Sequence, residues 1–441
     1  MPTPSLLIVP ARFKSGKLYS QIPTSGAGDF TVTRATNATR VNASGLIESV
    51  ASGIPRLDYF ASGGTVGCPA LLVEPAATNT LSGSVSIDTG WTITADTTVT
   101  SGIISPSGST NATLFQATNT ASRVRQTATL ASGSTYTFSC FGKFGALSSG
   151  FSLNVFDENA ASYGSGVCQA FNLNEGTLGA SGTIGAGFTL QSVGMENYGS
   201  GWYRCRMTVL MNYTPTTPRV GFRVGTQISG RPLSVASGTV NAWGAQLETG
   251  SVATSYIPTT TATVTRNADV VSVSGAVSGS IGQLSGTIYC EFAFLGTPTA
   301  RSGPIFLRQA ASRGMGINFS PSDSPTGISF ISRNDGGSTV LNIVSGALQL
   351  GTYYKIAIGY DAAGTAAGGS QASGVVAYVN GVQTAIGTLR VPDAAGLKEF
   401  RMYAASAGSG SDTEAFNGRI RSAALYTTRL SNDELAALTS L

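Results

Sequence analysis

Tyr353-Tyr354-Lys355-Ile356-Ala357-Ile358-Gly359-Tyr360, followed by Val375-Val376-Ala377-Tyr378-Val379-Asn380-Gly381, is the stretch that decides the fold. Tyr354, Ile356, Ile358 and Tyr360 recur at every second position, the period of a strand with one face in a core, and Tyr353 falls on the opposite face. Asn and Gly tolerate positive φ, so Asn380-Gly381 predicts a two-residue type I′ turn, whose twist suits an antiparallel hairpin. The same strand-like patterning continues in residues 287–294, 316–319 and 327–331, and earlier in 136–141, 151–156, 203–210 and 220–224. One segment breaks it. Ser431-Asn432-Asp433-Glu434 has the Ser-x-x-Glu form of a helix capping box, with Leu435, Ala436 and Leu438 supplying a short apolar face behind it.

A chain of 441 residues exceeds one ordinary core. Charged residues make up 11% of it, against the usual share of about a quarter, and Gly contributes 56 residues. A neutral coat of Ser, Thr, Asn and Gly suits many short strands joined by tight turns. The expected fold class is all-β: tandem antiparallel β-sandwich (jelly-roll) domains with an extended N-terminal segment and one short C-terminal helix. The expected limits are 1–82 for an N-terminal attachment segment with short strands, 83–262 for the first sandwich, 263–284 for a linker and edge strand, and 285–441 for the second sandwich.

The balance of 26 basic against 22 acidic residues, without any Lys/Arg run, is too slight for nucleic-acid binding. Cys68, Cys140, Cys168, Cys205 and Cys290 are odd in number and far apart, which predicts reduced, mostly buried thiols and no zinc site. No export signal is recognisable and no apolar run approaches a membrane span, so neither export nor membrane insertion is expected. The chain has no histidine, which removes Ser-His-Asp and Cys-His nucleophiles and His-based metal sites together. Glycoside cleavage needs two facing carboxyls, yet the nearest acidic pairs are Asp157-Glu158, at an expected turn, and Asp433-Glu434, in the capping box. No catalytic residue and no enzyme activity are expected.

Candidate ligand contacts are arginines at alternate positions, which share a strand face: Arg123 with Arg125, Arg204 with Arg206, and Arg419 with Arg421. Each pair suits an anionic partner, either an acidic polysaccharide or a carboxylate across a subunit boundary; the alternative is an exposed face kept soluble. Trp202, with Trp91 and Trp243, is a candidate for stacking on a sugar ring, against burial in the core.

Three groups of motifs carry resemblances. Residues 33–48 (Thr33-Arg34-Ala35-Thr36-Asn37-Ala38-Thr39-Arg40 onward), Pro55-Arg56-Leu57-Asp58-Tyr59 and Val73-Glu74-Pro75-Ala76-Ala77-Thr78-Asn79 resemble phage tail-fibre, spike and related virion proteins. Gly201-Trp202-Tyr203-Arg204, Trp243-Gly244-Ala245-Gln246-Leu247-Glu248 and Ala253-Thr254-Ser255-Tyr256-Ile257-Pro258-Thr259 resemble the closing strands of carbohydrate-binding-module-like sandwiches in phage proteins. Residues 285–441 are similar to laminin-G-like and concanavalin-A-like jelly rolls, through 354–360, 377–381 and Phe416-Asn417-Gly418-Arg419-Ile420. The resemblance implies a virion protein of a tailed phage, released by lysis. It further implies a homotrimeric appendage that touches other virion proteins through its N-terminal segment and host-surface polysaccharide through its sandwiches. A capsid or collar decoration protein is the alternative, and a polysaccharide depolymerase the third reading. Calcium is the metal this jelly-roll class suggests, with Asn334, Asp335 and Asp361 as the nearest loop oxygens; without a dense Asp-x-Asp pattern, turn chemistry explains them and no cofactor is expected.

Overall fold

A computed structural model describes residues 1–14, 17–61, 63–146, 150–158, 165–225, 227–228, 231–232, 238–297, 302–310, 313–320, 327–334, 337–345, 349–362, 374–388, 396–402 and 416–440. Among the described residues the chain is all-β with one short α-helix near its C-terminal end. The alternation of 354–360 gives the strand Tyr353–Asp361, whose Tyr354, Ile356, Ile358 and Tyr360 enter the main core. Asn380 and Gly381 both have positive φ, 49° and 84°, and close the hairpin between Val375–Val379 and Val382–Gly387. The helix Asn432–Thr439 starts on the capping box: the Glu434 backbone N–H donates to the Ser431 hydroxyl, and the Ser431 N–H donates to the Glu434 carboxylate.

These strands belong to a 16-stranded antiparallel sheet that folds over on itself. One half runs Gly337–Ser345, Gly327–Asn334, Arg313–Ser320, Ser302–Ala310, Glu399–Arg401, Val270–Ser274; the other runs Gly418–Tyr426, Ser285–Phe294, Tyr353–Asp361, Val375–Val379, Val382–Gly387. Phe294 and Phe319, from opposite halves, meet with ring centroids 5.9 Å apart in the shared core. Between the halves lie the first strands of the chain, Phe30–Thr33, Lys17–Ile22 and Leu6–Lys14. Leu6 and Leu7 pair with Leu425 and Ala424, Val32 and Thr33 pair with Val271 and Val270, and Leu6, Ile8, Leu18, Phe30 and Val32 are buried in the core.

Two expectations about organisation are thereby corrected. Residues 1–82 do not form a separate extended segment, because Leu6–Lys14, Lys17–Ile22, Phe30–Thr33, Leu57–Phe60 and Val66–Val73 hydrogen-bond into the sheet of the C-terminal module; short, Pro- and Gly-broken strands read as detached when their partners lie hundreds of residues away. Residues 263–284 are not a linker with an edge strand. Val270–Ser274 has a partner on each side, Phe30–Thr33 and Glu399–Arg401, and Val264–Arg266 pairs with Ala77–Asn79.

The middle of the chain forms a sandwich of two six-stranded sheets. One contains Thr97–Ile103, Ala112–Ala117, Thr239–Thr249, Thr135–Ala146, Trp202–Met211 and Phe188–Asn197 in that order; the other contains Thr177–Ile184, Ser165–Asn172, Gly150–Asp157, Pro218–Val224, Val124–Thr127 and Thr92–Ile93. Phe138, Leu153, Phe222 and Leu247 fill the core between them. All five cysteines are free, four of them buried, with Cys140 directly opposite Cys205 across neighbouring strands. Among the described residues no helix is long and apolar enough to cross a membrane.

Candidate functional site at the junction of the modules

The strings quoted from residues 33–79 and 253–259 converge where the sandwich meets the large sheet. Arg34, Arg56, Arg266, Glu74 and Asp269 form a buried ionic knot there, each no more than 2% exposed. Arg34 Nη1 lies 2.7 Å from Asp269 Oδ1, and Arg56 Nη1 lies 2.7 Å from Glu74 Oε2 while Nη2 donates to Asp269 Oδ2. Arg266 approaches Glu74 at 3.5 Å. Further valences of Arg56, Arg34 and Glu74 go to backbone and hydroxyl groups: Arg56 donates to the Thr39 carbonyl and Ser255 Oγ, Arg34 to the carbonyls of Thr36 and Ala51, and the Ser255 N–H donates to Glu74 Oε1. Such saturation is what makes buried charge tolerable; Arg266 lacks it at Nε and Nη2, which have no hydrogen-bond partner.

Burial alone would raise the Glu74 carboxyl, but Arg266 and Arg56 beside it outweigh burial and hold it well below the usual carboxylate range. A carboxyl depressed on folding stabilises the fold above its unfolded value and loses that contribution as pH falls toward its folded value. Melting temperature is therefore expected to fall progressively once the pH drops below the ordinary Glu value of 4.5, and Glu74→Gln should flatten part of that slope. Thermal melts at pH 6, 4 and 3 check this; parallel slopes in both proteins would refute the assignment to Glu74.

Above the knot opens a cleft of about 230 Å³, lined by the N-terminal strands, the sandwich and the large sheet. Phe60 and Tyr198, both half-buried, pair on its wall with centroids 4.7 Å apart. Tyr198 stands edge-on to Phe141 at 4.9 Å, and Phe141 to Trp243 at 5.4 Å, so a chain of rings runs from wall to floor. The Arg419 guanidinium lies 5.1 Å from the Phe60 centroid on the ring's face and donates through Nε to Asp58 Oδ2 at 2.6 Å. The other Asp58 oxygen accepts the Val41 N–H. Arg206 faces Glu196 at 3.6 Å across the hairpin, its guanidinium lying over Gly194, where a Cβ would come within 2.5 Å of Arg206 Cζ. Arg40 pairs with Glu48 at 2.7 Å on the rim.

The structure brings three of the six candidate arginines to this cleft: Arg419, already described, Arg204 and Arg206. Arg204 is buried in the floor, donating to the Thr254 carbonyl and Ser139 Oγ, and its Nε has no hydrogen-bond partner; Arg206 is on the wall. Arg123 and Arg125 lie elsewhere, on the other sheet of the sandwich, where with Arg219 they surround Glu158. Arg421 pairs with Glu291 and covers the Tyr353 ring. Every alternate-arginine pair thus has at least one carboxylate partner within the chain. Trp202 is 3% exposed among Val41, Phe141, Trp243 and Tyr256, so it offers no face to a sugar, and Trp91 and Trp243 are buried too. For Trp202 the stacking role is corrected: an indole beside a Gly-rich turn packs the junction. Phe60 and Tyr198 were not singled out from the sequence, and Arg40 and Asp58 were quoted within motifs but not as ligand contacts; for Tyr198 the nearest signal was the Gly199-Ser200-Gly201 turn, which folds it back beside Trp202.

Among the described residues no three His, Cys, Asp or Glu side chains come together as metal ligands. Asp335 and the side chain of Asn334 lie outside the described residues, and Asp361 ends a strand.

Residues 282–436 match the family model of the concanavalin A-like lectin/glucanases superfamily. The match begins after Val270–Ser274, so the N-terminal strands that complete the same sheet lie outside it. No curated protein matches the chain. Among solved structures, the CBM40 of the Ruminococcus gnavus IT-sialidase is 16% identical, with 38% of this chain and 88% of that chain covered and a TM-score of 0.29. Trypanosoma rangeli sialidase in complex with sialic acid is 10% identical, with 74% of this chain and 60% of that chain covered and a TM-score of 0.28. Likeness of that extent establishes neither a shared site nor a shared activity.

Proposed function

We propose that this chain is a glycan-binding structural protein of a bacteriophage virion, a tail fibre, spike or similar appendage that holds host-surface polysaccharide in the cleft between its modules. The observation that carries the binding reading is the cleft itself: a concave site with half-buried rings on one wall and guanidinium donors around it, the combination that grips the apolar face and hydroxyls of a sugar. Binding without cleavage is the reading, because each carboxylate lining the cleft has a guanidinium partner, Asp58 with Arg419, Glu74 with Arg56, Glu196 with Arg206. A proton donor for glycoside cleavage needs a carboxyl held neutral instead. Weak single-site binding repeated on a homotrimer would raise avidity by orders of magnitude. The virion role, and contact with other virion proteins, rest on the motif resemblance. On a glycan array and on host cells the purified chain should bind, and loss of both signals would remove the adhesin reading.

The second reading, a capsid or collar decoration protein, is favoured by the strand Thr177–Ile184, a sheet edge with mostly exposed residues and no charged one. Edges are ordinarily guarded by charge, and a neutral edge suits a protein neighbour. A particle reconstruction with this edge covered and the cleft sealed would favour decoration over adhesion.

A further inference from the structure

We infer that the junction cleft selects a sugar ring bearing a carboxylate, the repeating unit of a uronic-acid polysaccharide, over a neutral ring; the inference rests on the glycan-binding reading above. The charges that line the cleft are unevenly available. Asp58 and Glu74 are each 2% exposed, the first beneath Arg419, the second inside the knot. Glu196 is the acid left open, with its side chain 38% exposed. Against it stand three partly open guanidinia: Arg40 at 18%, Arg206 at 26% and Arg419 at 15%. With Glu48 on the rim at 36%, three partly open guanidinia face two partly open carboxylates.

The floor adds to this bias. Arg204 is 3% exposed and retains an Nε donor without an acceptor, an orphan that an anionic oxygen would satisfy. Size sets the ligand. At about 230 Å³ the cleft is smaller than the roughly 300–1,000 Å³ that takes a drug-sized molecule, so it accepts one ring, with the rest of a polymer leaving over the rim. The Phe60 and Tyr198 pair offers the ring an apolar wall, and Arg206, whose present carboxylate contact at 3.6 Å is long, is the guanidinium best placed to turn to a new anion.

Methyl β-D-glucuronide and methyl β-D-glucoside differ in the carboxylate alone and are the probes, titrated into the full chain by calorimetry or ligand-observed NMR. The glucuronide should bind at least about tenfold more tightly than the glucoside, and more weakly as salt screens the contact. Arg206→Gln on the wall and Arg40→Gln on the rim should each keep the wild-type melting temperature and reduce glucuronide affinity several-fold, by clearly more than they reduce glucoside affinity. Equal binding of the two sugars, or unchanged glucuronide affinity in both variants, overturns the inference and leaves the glycan reading standing. Glycan-array binding without any glucuronide binding does the same. A blank array together with silence from both sugars overturns both.

Discussion

Expressed without residues 1–33, the chain is expected to lose the cooperative fold of its C-terminal module, although every residue matched by the lectin-like family model is still present. The reason is topological. Leu6–Lys14 and Phe30–Thr33 are the partners of Gly418–Tyr426 and Val270–Ser274, so the truncation leaves two unpaired strand edges in the middle of the sheet. It also strips Leu6, Ile8, Leu18, Phe30 and Val32 from the core. At roughly 1.5–3 kcal/mol for each fully buried side chain of this kind the loss is about 8–15 kcal/mol, as large as the entire net stability of a typical domain, roughly 5–15 kcal/mol. Near-ultraviolet circular dichroism and a thermal melt of residues 34–441 or 263–441 measure it. A sharp, native-like transition of the C-terminal module in either fragment would show that the first strands are ornamental.

The second large effect is expected from Asp269→Ala. Asp269 accepts from Arg34, from Arg56 and from the Glu74 N–H, and its removal leaves three buried guanidinia facing Glu74. Breaking a buried ionic network from one side typically costs about 3–5 kcal/mol, because uncompensated charge stays buried. The double variant Asp269→Ala with Arg34→Met should lose less than the sum of the two single changes, since it withdraws one surplus cation along with the anion. Denaturant midpoints of the three variants test the coupling; strict additivity, or a single-variant loss below about 1 kcal/mol, would mean the knot is not a unit.

Much of the fold was legible because alternation and turn chemistry are local. Tyr354, Ile356 and Ile358 declare a strand by their own spacing, Asn380-Gly381 declares its turn, and Ser431 with Glu434 declares the helix start. What could not be read was partnership. Leu6–Lys14 carries the same apolar signal whether it pairs with Lys17–Ile22 alone or also with Gly418–Tyr426, some four hundred residues on. The junction was half legible for the same reason. The strings around Arg34, Arg56 and Glu74 stood out as motifs, but nothing in their spacing says that they meet Arg266 and Asp269 in a buried knot. Arginine alternation pointed to Arg204 and Arg206, yet the rings that give the cleft its wall, Phe60 and Tyr198, come from separate hairpins and have no shared period. Trp202 misled because an exposed ligand platform and a buried packing residue look alike beside a glycine turn.

Carbohydrate recognition at the meeting point of the modules is tested most directly by hydrogen-exchange mass spectrometry of the full chain with and without methyl β-D-glucuronide at saturation. Slowed exchange is expected in the segments that line the cleft, around Thr39 to Val41, Asp58 to Phe60, Glu196 to Arg206 and Ala253 to Tyr256. Protection confined to other surfaces, such as the sheet face around Arg123 and Arg125, or none at all, would contradict it.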